Sequence, residues 1–142
     1  MEQKQISPLL LDTHIWIWLN TGSTLLAPET IHCIETAATQ GMVWIAAISV
    51  WELATLVRKQ RISLTTSVQD WVQTALAQPG MQFAEMTPTI AIESTVLPGE
   101  IHGDPADRLI VATARHLRLT LVTRDAALLR YGEAGYVSVR AG

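Results

Sequence analysis

The sequence predicts an α/β protein, a parallel sheet covered by helices on both faces. Two observations predict it. Short apolar runs without polar alternation, at 9–11, 42–47 and 119–123, read as strands buried on both sides. Segments with helix-capping signals separate them, which is the alternation expected of β-α units. The 142 residues fit one domain, 1–142. A chain of this length buries roughly two-thirds of its unfolded surface and needs no covalent staple.

The elements follow in order. Leu9-Leu10-Leu11 is the first strand, and residues 13–20 form a short helix broken at Gly22-Ser23. Pro28 suits the first turn of a second helix towards Gln40, with Gly41 just past its end. Residues 42–47 form the second strand, and Ser49 opens a helix to about Lys59. Residues 67–78 are helical and closed by Pro79-Gly80, and 81–85 form a short third strand. Thr87-Pro88 starts a helix that Pro98-Gly99 ends. Asp104-Pro105 starts another, whose apolar positions Leu109, Ile110, Ala112, Ala114 and Leu117 recur at helical spacing. A strand at 119–123, a helix at 125–131 and a last strand at 136–139 complete the chain.

Hydrophobic residues make up 49% and charged residues 16%. That balance suits a buried sheet or a face covered by a partner. Cys33 is the single cysteine, so no intrachain disulfide forms and a reducing compartment is favoured. The polar start, residues 1–8, carries no targeting pattern, and no apolar run approaches a membrane span. The expectation is a soluble, cytoplasmic protein with no membrane contact. A net charge of −3 argues mildly against nucleic acid. Yet every basic residue except Lys4 lies from Arg58 onward, so an acidic site can sit beside a basic, phosphate-tracking surface. Ordinary solvated helix faces explain the same distribution.

Four acids share one topological position. Asp12 ends the first strand. Glu52 falls in the first turn of the helix after the second. Asp107 lies in the first turn of the Asp104 helix, and Asp125 follows the 119–123 strand. Ligands of open parallel sheets bind at the carboxyl ends of the strands, where residues distant in sequence converge. Each acid also has a plain structural explanation. Ser49-Val50-Trp51-Glu52 reads as a capping box. Asp104 can be an N-cap with Pro105 and Asp107 in the first turn, and Asp125 can cap the next helix. Asp12 is the hardest to explain so, because an acid after three leucines gains little from a strand end. Carboxylates about 4 Å apart repel by roughly 4 kcal/mol per pair at an effective dielectric near 20. A cluster therefore needs protons or a cation, and hard divalent ions such as Mg²⁺ and Mn²⁺ prefer oxygen donors. The four histidines (14, 32, 102, 116) are scattered and none has zinc-ligand spacing.

The segments Leu9-Leu10-Leu11-Asp12-Thr13-His14, Ile48-Ser49-Val50-Trp51-Glu52-Leu53, His102 to Ala114 and Leu121-Val122-Thr123-Arg124-Asp125 resemble the successive motifs of PIN-domain proteins. The likeness is greatest to VapC-like toxins of type II toxin–antitoxin pairs and runs from Leu9 to the final strand. It implies a three-layer α/β/α sandwich around a parallel sheet of about five strands. It also implies a Mg²⁺- or Mn²⁺-dependent endoribonuclease using one or two ions. Asp12, Glu52, Asp107 and Asp125 take the catalytic positions, with Asp12, Asp107 and Asp125 as metal ligands. Asp104 is an extra acid in an Asp-Pro-x-Asp-Arg variant of the motif, assigned behind the metal site or to the helix cap. The Thr13 and Thr123 hydroxyls are placed to orient waters there or to cap helices.

Two further groups complete the expectation. Arg108, Arg124, Arg58, Lys59 and Arg61 are candidate RNA-phosphate contacts by sequence proximity to the acids. Trp16, Trp18, Trp51 and Leu56 lie on two helices holding more large apolar surface than one buried face needs. They are expected to form a groove for an antitoxin segment, although Trp16 and Leu53 also suit a core. A homodimer through another helical face is expected. A haloacid dehalogenase-like phosphatase would need Asp-x-Asp where this chain has Asp12-Thr13-His14. A receiver-type fold would need an acidic pair at the first strand and a lysine after a late one. A catalytically silent PIN-like module, binding RNA or a protein, is the alternative reading.

Overall fold

The computed structural model describes residues 7–142. Residues 1–6, part of the polar start read as lacking a targeting pattern, lie outside the described residues. The element order is β1 (Leu9–Leu11), α1 (Thr13–Thr21), α2 (Pro28–Ala38), β2 (Val43–Ala46), α3 (Ala47–Arg58), α4 (Val68–Leu76), β3 (Met81–Ala84), α5 (Pro88–Glu93), α6 (Pro105–Leu117), β4 (Thr120–Thr123), α7 (Ala126–Glu133) and β5 (Val139–Ala141). The strands form one parallel sheet in the order β3-β2-β1-β4-β5.

Strand periodicity divides the core in two. Leu9 and Leu11 of β1, Val43 and Ile45 of β2, and Val122 of β4 face one cluster, which takes Ile15 and Trp16 from α1, Ile34 from α2 and Ala75 from α4. Leu10, Ala46 and Leu121 face the other, with Ile110, Val111 and Ala114 from α6 and Leu128 and Tyr131 from α7. Helices thus cover both faces, giving the predicted three-layer sandwich. α3 touches α1 and α4 on one side and α6 on the other. No helix among the described residues is long and apolar enough to cross a membrane.

Local signals behave largely as read. Pro28 starts α2, and the αL residue Gly41 follows it, with the Met42 amide bonding back to the Ala37 carbonyl. Gly80 has φ +85°, and a Cβ there would lie 2.0 Å from the Ala38 carbonyl oxygen, so only glycine lets β3 start beside α2.

Three boundaries differ. α5 stops at Glu93 instead of running to Pro98, because the Ser94 and Thr95 hydroxyls bond back to the Ala91 and Ile92 carbonyls and end the turn. The last strand is Val139–Ala141, not 136–139. Tyr136 stacks on Tyr131 and Val137 is buried, so that segment packs onto α7 before the ladder begins. α3 begins at Ala47, with Ala46 at its N-cap and no side-chain cap, so Ser49 is inside the helix and Glu52 lies in its second turn.

Candidate functional site

β1 is central, with β2 and β3 on one side and β4 and β5 on the other, so the order of winding reverses between β1 and β4. That is where an open parallel sheet forms its crevice. Asp12 leaves β1 there and Asp125 leaves β4, and the Asp12 amide extends the ladder to the Val122 carbonyl at 2.9 Å. α3 and α6 deliver Glu52, Asp104 and Asp107 to the same place. These five acids, with His14, Ile15, Trp18 and Arg124, line one cavity of about 390 Å³.

Each carboxylate is held from behind. Asp12 caps α1, accepting from the Thr13 amide at 2.8 Å, and its Oδ2 accepts from the Thr123 hydroxyl at 2.7 Å. Thr123, itself buried, accepts in turn from the Asp125 amide at 3.0 Å. Asp125 caps α7 through the Leu128 amide at 3.0 Å. The Thr13 hydroxyl donates to Glu52 Oε1 at 2.6 Å and lies 2.9 Å from the Ser49 hydroxyl. A hydroxyl has one proton, so while Thr13 donates to Glu52, Ser49 donates to Thr13. The capping box therefore does not form, and Ser49 and Thr13 support Glu52 instead. Asp104 caps α6, accepting from Ala106 and Asp107 amides at 2.9 and 3.3 Å, with Asp107 at the third helical position. Capping and cavity lining coexist in these residues, because a carboxylate has more acceptor sites than a cap uses.

Burial, with crowding added, raises the proton affinity of Asp107, Asp12 and Glu52. Burial first, then the charges of Asp104, Asp12, Asp125 and Glu52, lift Asp107 to about 7. Burial also raises Asp12, against the hydrogen bonds from Thr123 and Thr13, and raises Glu52 against the bond from Thr13. The donor set is oxygen-rich and strained by its own charge, which suits a hard divalent cation.

The sequence overlooked His102. Its Nε2 lies 3.2 Å from Asp107 Oδ2, and ligand atoms of His102, Asp107 and Asp125 lie within 4.8 Å of one another. His14 lines the cavity as well.

The basic and aromatic candidates separate. Arg124 lies over the Trp18 ring at 5.4 Å, bonds the Leu25 carbonyl and borders the acids. Arg108 faces away, donating to the Ser94 carbonyl at 2.8 Å and the Ile101 carbonyl at 3.4 Å, which makes it a tether. Successive helical residues point about 100° apart, so adjacency to Asp107 does not bring it to the cavity. Lys59 and Arg61 line a neighbouring groove, while Arg58 is exposed at the end of α3. Trp16 is a correction: it is fully buried and packs edge-on against Trp71, so it belongs to the core and not to a groove. Trp18 borders the acidic cavity instead. Trp51, 61% exposed, and Leu56 do line the groove, with Ile48 and Met86. That groove, about 640 Å³, reaches Glu52 and Asp104.

The sequence matches the PIN domain family over residues 9–134. It is 37% identical over 123 residues to Ribonuclease VapC22 of Mycobacterium tuberculosis, covering 87% of this chain and 91% of that protein. Similar solved structures include VapBC2 from Rickettsia felis bound to a promoter DNA fragment, with TM-score 0.69 and 17% identity over 94% of this chain and 97% of that one. FitAcB from Neisseria gonorrhoeae gives 0.64 and 21% over 92% and 95%. With its motifs in order, its acids at the sheet's switch point and this relationship along nearly its whole length, the chain belongs to the PIN-domain family as one of its VapC-type ribonucleases.

Proposed function

We propose that the chain is the toxin of a type II toxin–antitoxin pair, an endoribonuclease dependent on Mg²⁺ or Mn²⁺ and acting in the cytoplasm. The observation that carries this is the convergence of five acids in one cavity at the switch point, with Asp107 raised to about 7. Asp12, Asp107 and Asp125 would hold one or two ions, for their oxygens are the hard donors such ions prefer. When bound, the ion supplies Lewis-acid chemistry, acidifying a water and neutralising charge that grows on the attacked phosphate. Thr123 holds Asp12 in place, and Thr13 occupies Glu52 Oε1, which leaves Oε2 to take a proton from the attacking water. Arg124, at the cavity rim, binds a flanking phosphate. Glu52 and Asp107 cap no helix, so a silent binding module leaves their crowding against the three capping acids unexplained, and cleavage is favoured over it.

The antitoxin segment lies in the Trp51–Leu56 groove, as an amphipathic helix carrying a basic side chain that reaches Glu52 and Asp104. A solved structure of the same fold, with TM-score 0.61 and 24% identity over 93% of this chain and 95% of that one, is a toxin–antitoxin complex from Klebsiella pneumoniae. Self-association uses Ile92 and Val96, exposed apolar residues in and beyond α5. End-mapping of RNA cut in vitro, with Asp12→Asn as control, tests the central claim. Identical cleavage by the control rejects it.

A further inference from the structure

His102 stands on a fastened loop. Ile101, just before it, packs against the second core cluster, and its carbonyl accepts from Arg108, whose Nε also ties down the Ser94 carbonyl at 2.8 Å. The imidazole is then placed by a hydrogen bond at one nitrogen and a close contact with a carboxylate at the other. Nδ1 accepts from the Asp104 amide at a long 3.4 Å. A ring nitrogen that accepts carries no proton, so the proton of the neutral ring is on Nε2. Nε2 lies 3.2 Å from Asp107 Oδ2. The circuit closes through the backbone, because the Asp107 amide donates to the Asp104 carboxylate, whose own amide donates to His102.

We propose that His102 is a positioning residue: its Nε2–H holds Asp107 Oδ2 so that the carboxylate faces the cavity, and this sets how tightly the cavity holds a divalent ion. The inference rests on the metal-dependent reading above. The pair is too exposed for a large effect on folding, the His102 side chain being 37% accessible. Orientation of the carboxylate is what it supplies. Removing a group that orients a metal ligand from behind costs about 10–100-fold in metal affinity. A glutamine at 102 places an amide N–H near the position of Nε2, and an alanine places nothing there.

The test is Mn²⁺ binding by calorimetry to the full chain, His102→Ala and His102→Gln, with melting in EDTA and pulsed EPR of the Mn²⁺ forms. The expected result is binding weakened about 10–100-fold in the alanine variant and largely restored by glutamine. Melting in EDTA should be the same for all three, and any imidazole nitrogen coupling to the ion should be unchanged by His102→Ala. Equal Mn²⁺ affinity in the alanine variant, or failure of glutamine to rescue, overturns the proposal while the metal-dependent reading stands. Nitrogen coupling that disappears in His102→Ala overturns it too, by making His102 a ligand. A parent chain that binds no Mn²⁺ overturns both.

Discussion

The Thr123 hydroxyl donates to Asp12 Oδ2 at 2.7 Å, across 111 residues of sequence. It joins the ends of β4 and β1 at the switch point, where Asp12 is the N-cap of α1 and Thr123 precedes Asp125, the N-cap of α7. Because Thr123 also accepts from the Asp125 amide, one buried hydroxyl fixes the spacing of two acids.

Thr123→Val keeps the shape of the side chain and removes both bonds. Divalent-ion affinity should fall about 10–100-fold. Stability should fall by about 1–3 kcal/mol, because Val cannot receive the Asp125 amide. Thr123→Ser should retain most of both. Calorimetric Mn²⁺ titration and denaturant melts check this, and a valine variant with parental Mn²⁺ affinity would detach Thr123 from the site.

Metal-free stability should depend on pH in the direction opposite to a salt-bridged acid. Asp107 titrates near 7 in the fold, against 3.8 for an ordinary aspartate. Between those values the folded chain keeps a proton that the unfolded chain has released. The folded state binds more protons, so stability falls as pH rises from about 4 to 7. Asp12 and Glu52 are shifted the same way and add to the slope. In EDTA the melting temperature should be higher at pH 5 than at pH 8, by about 3 °C for each kcal/mol. Mn²⁺ should raise it more at pH 8, since binding displaces protons. Asp107→Asn should flatten the slope in EDTA and abolish cleavage. A melting temperature equal at pH 5 and pH 8 in EDTA would contradict the crowding.

The two arginines beside acids in sequence should behave differently. Arg108→Ala loses the tether to Ser94 and Ile101, leaving two carbonyls without a donor, and should cost about 1–3 kcal/mol of stability. Its RNA affinity should keep the parental salt dependence. Arg124→Ala should weaken RNA binding and reduce the salt slope by about one phosphate contact. Fluorescence anisotropy with a labelled oligoribonucleotide across a salt series distinguishes them; a slope changed by Arg108→Ala and untouched by Arg124→Ala would reverse the assignment.

The sheet and the acids were legible because their signals are local. Apolar runs without alternation reveal buried parallel strands; Asp12 follows one directly, and Asp125 follows another after Arg124. Glu52 was found for a partly mistaken reason. Ser49 looks like a cap, yet α3 starts two residues earlier, and the Thr13 contact that explains Glu52 spans 39 residues. His102 was missed because its contact with Asp107 has no recognisable sequence spacing; the turn at 102–104 brings it to Asp107. Trp16 and Trp18 are two positions apart on α1 and so point to different surroundings, one into the core and one towards the acids. Apolar content alone does not choose between those fates.

The tryptophans give the last prediction. Trp51 is 61% exposed on α3 and, with Ile48, Leu56 and Met86, supplies the apolar part of a groove that Lys59, Arg61, Glu52 and Asp104 also line. An exposed indole in a groove is the kind of anchor that dominates binding energy between proteins. Trp51→Ala should therefore weaken the complex with the protein encoded beside this chain by about 2 kcal/mol or more, roughly 30-fold. Cleavage by the free variant should be unimpaired, since Trp51 is absent from the acidic cavity wall. Trp16→Ala is the contrasting case: it empties a fully buried site and should cost about 3–5 kcal/mol of folding stability. Trp18→Ala should leave the complex largely intact and alter RNA binding, because Trp18 borders the acids with Arg124. Co-expression followed by calorimetry on the purified partners separates the three. If the complex survives Trp51→Ala at parental affinity and is lost with Trp18→Ala, the antitoxin occupies the acidic cavity and not the groove on α3.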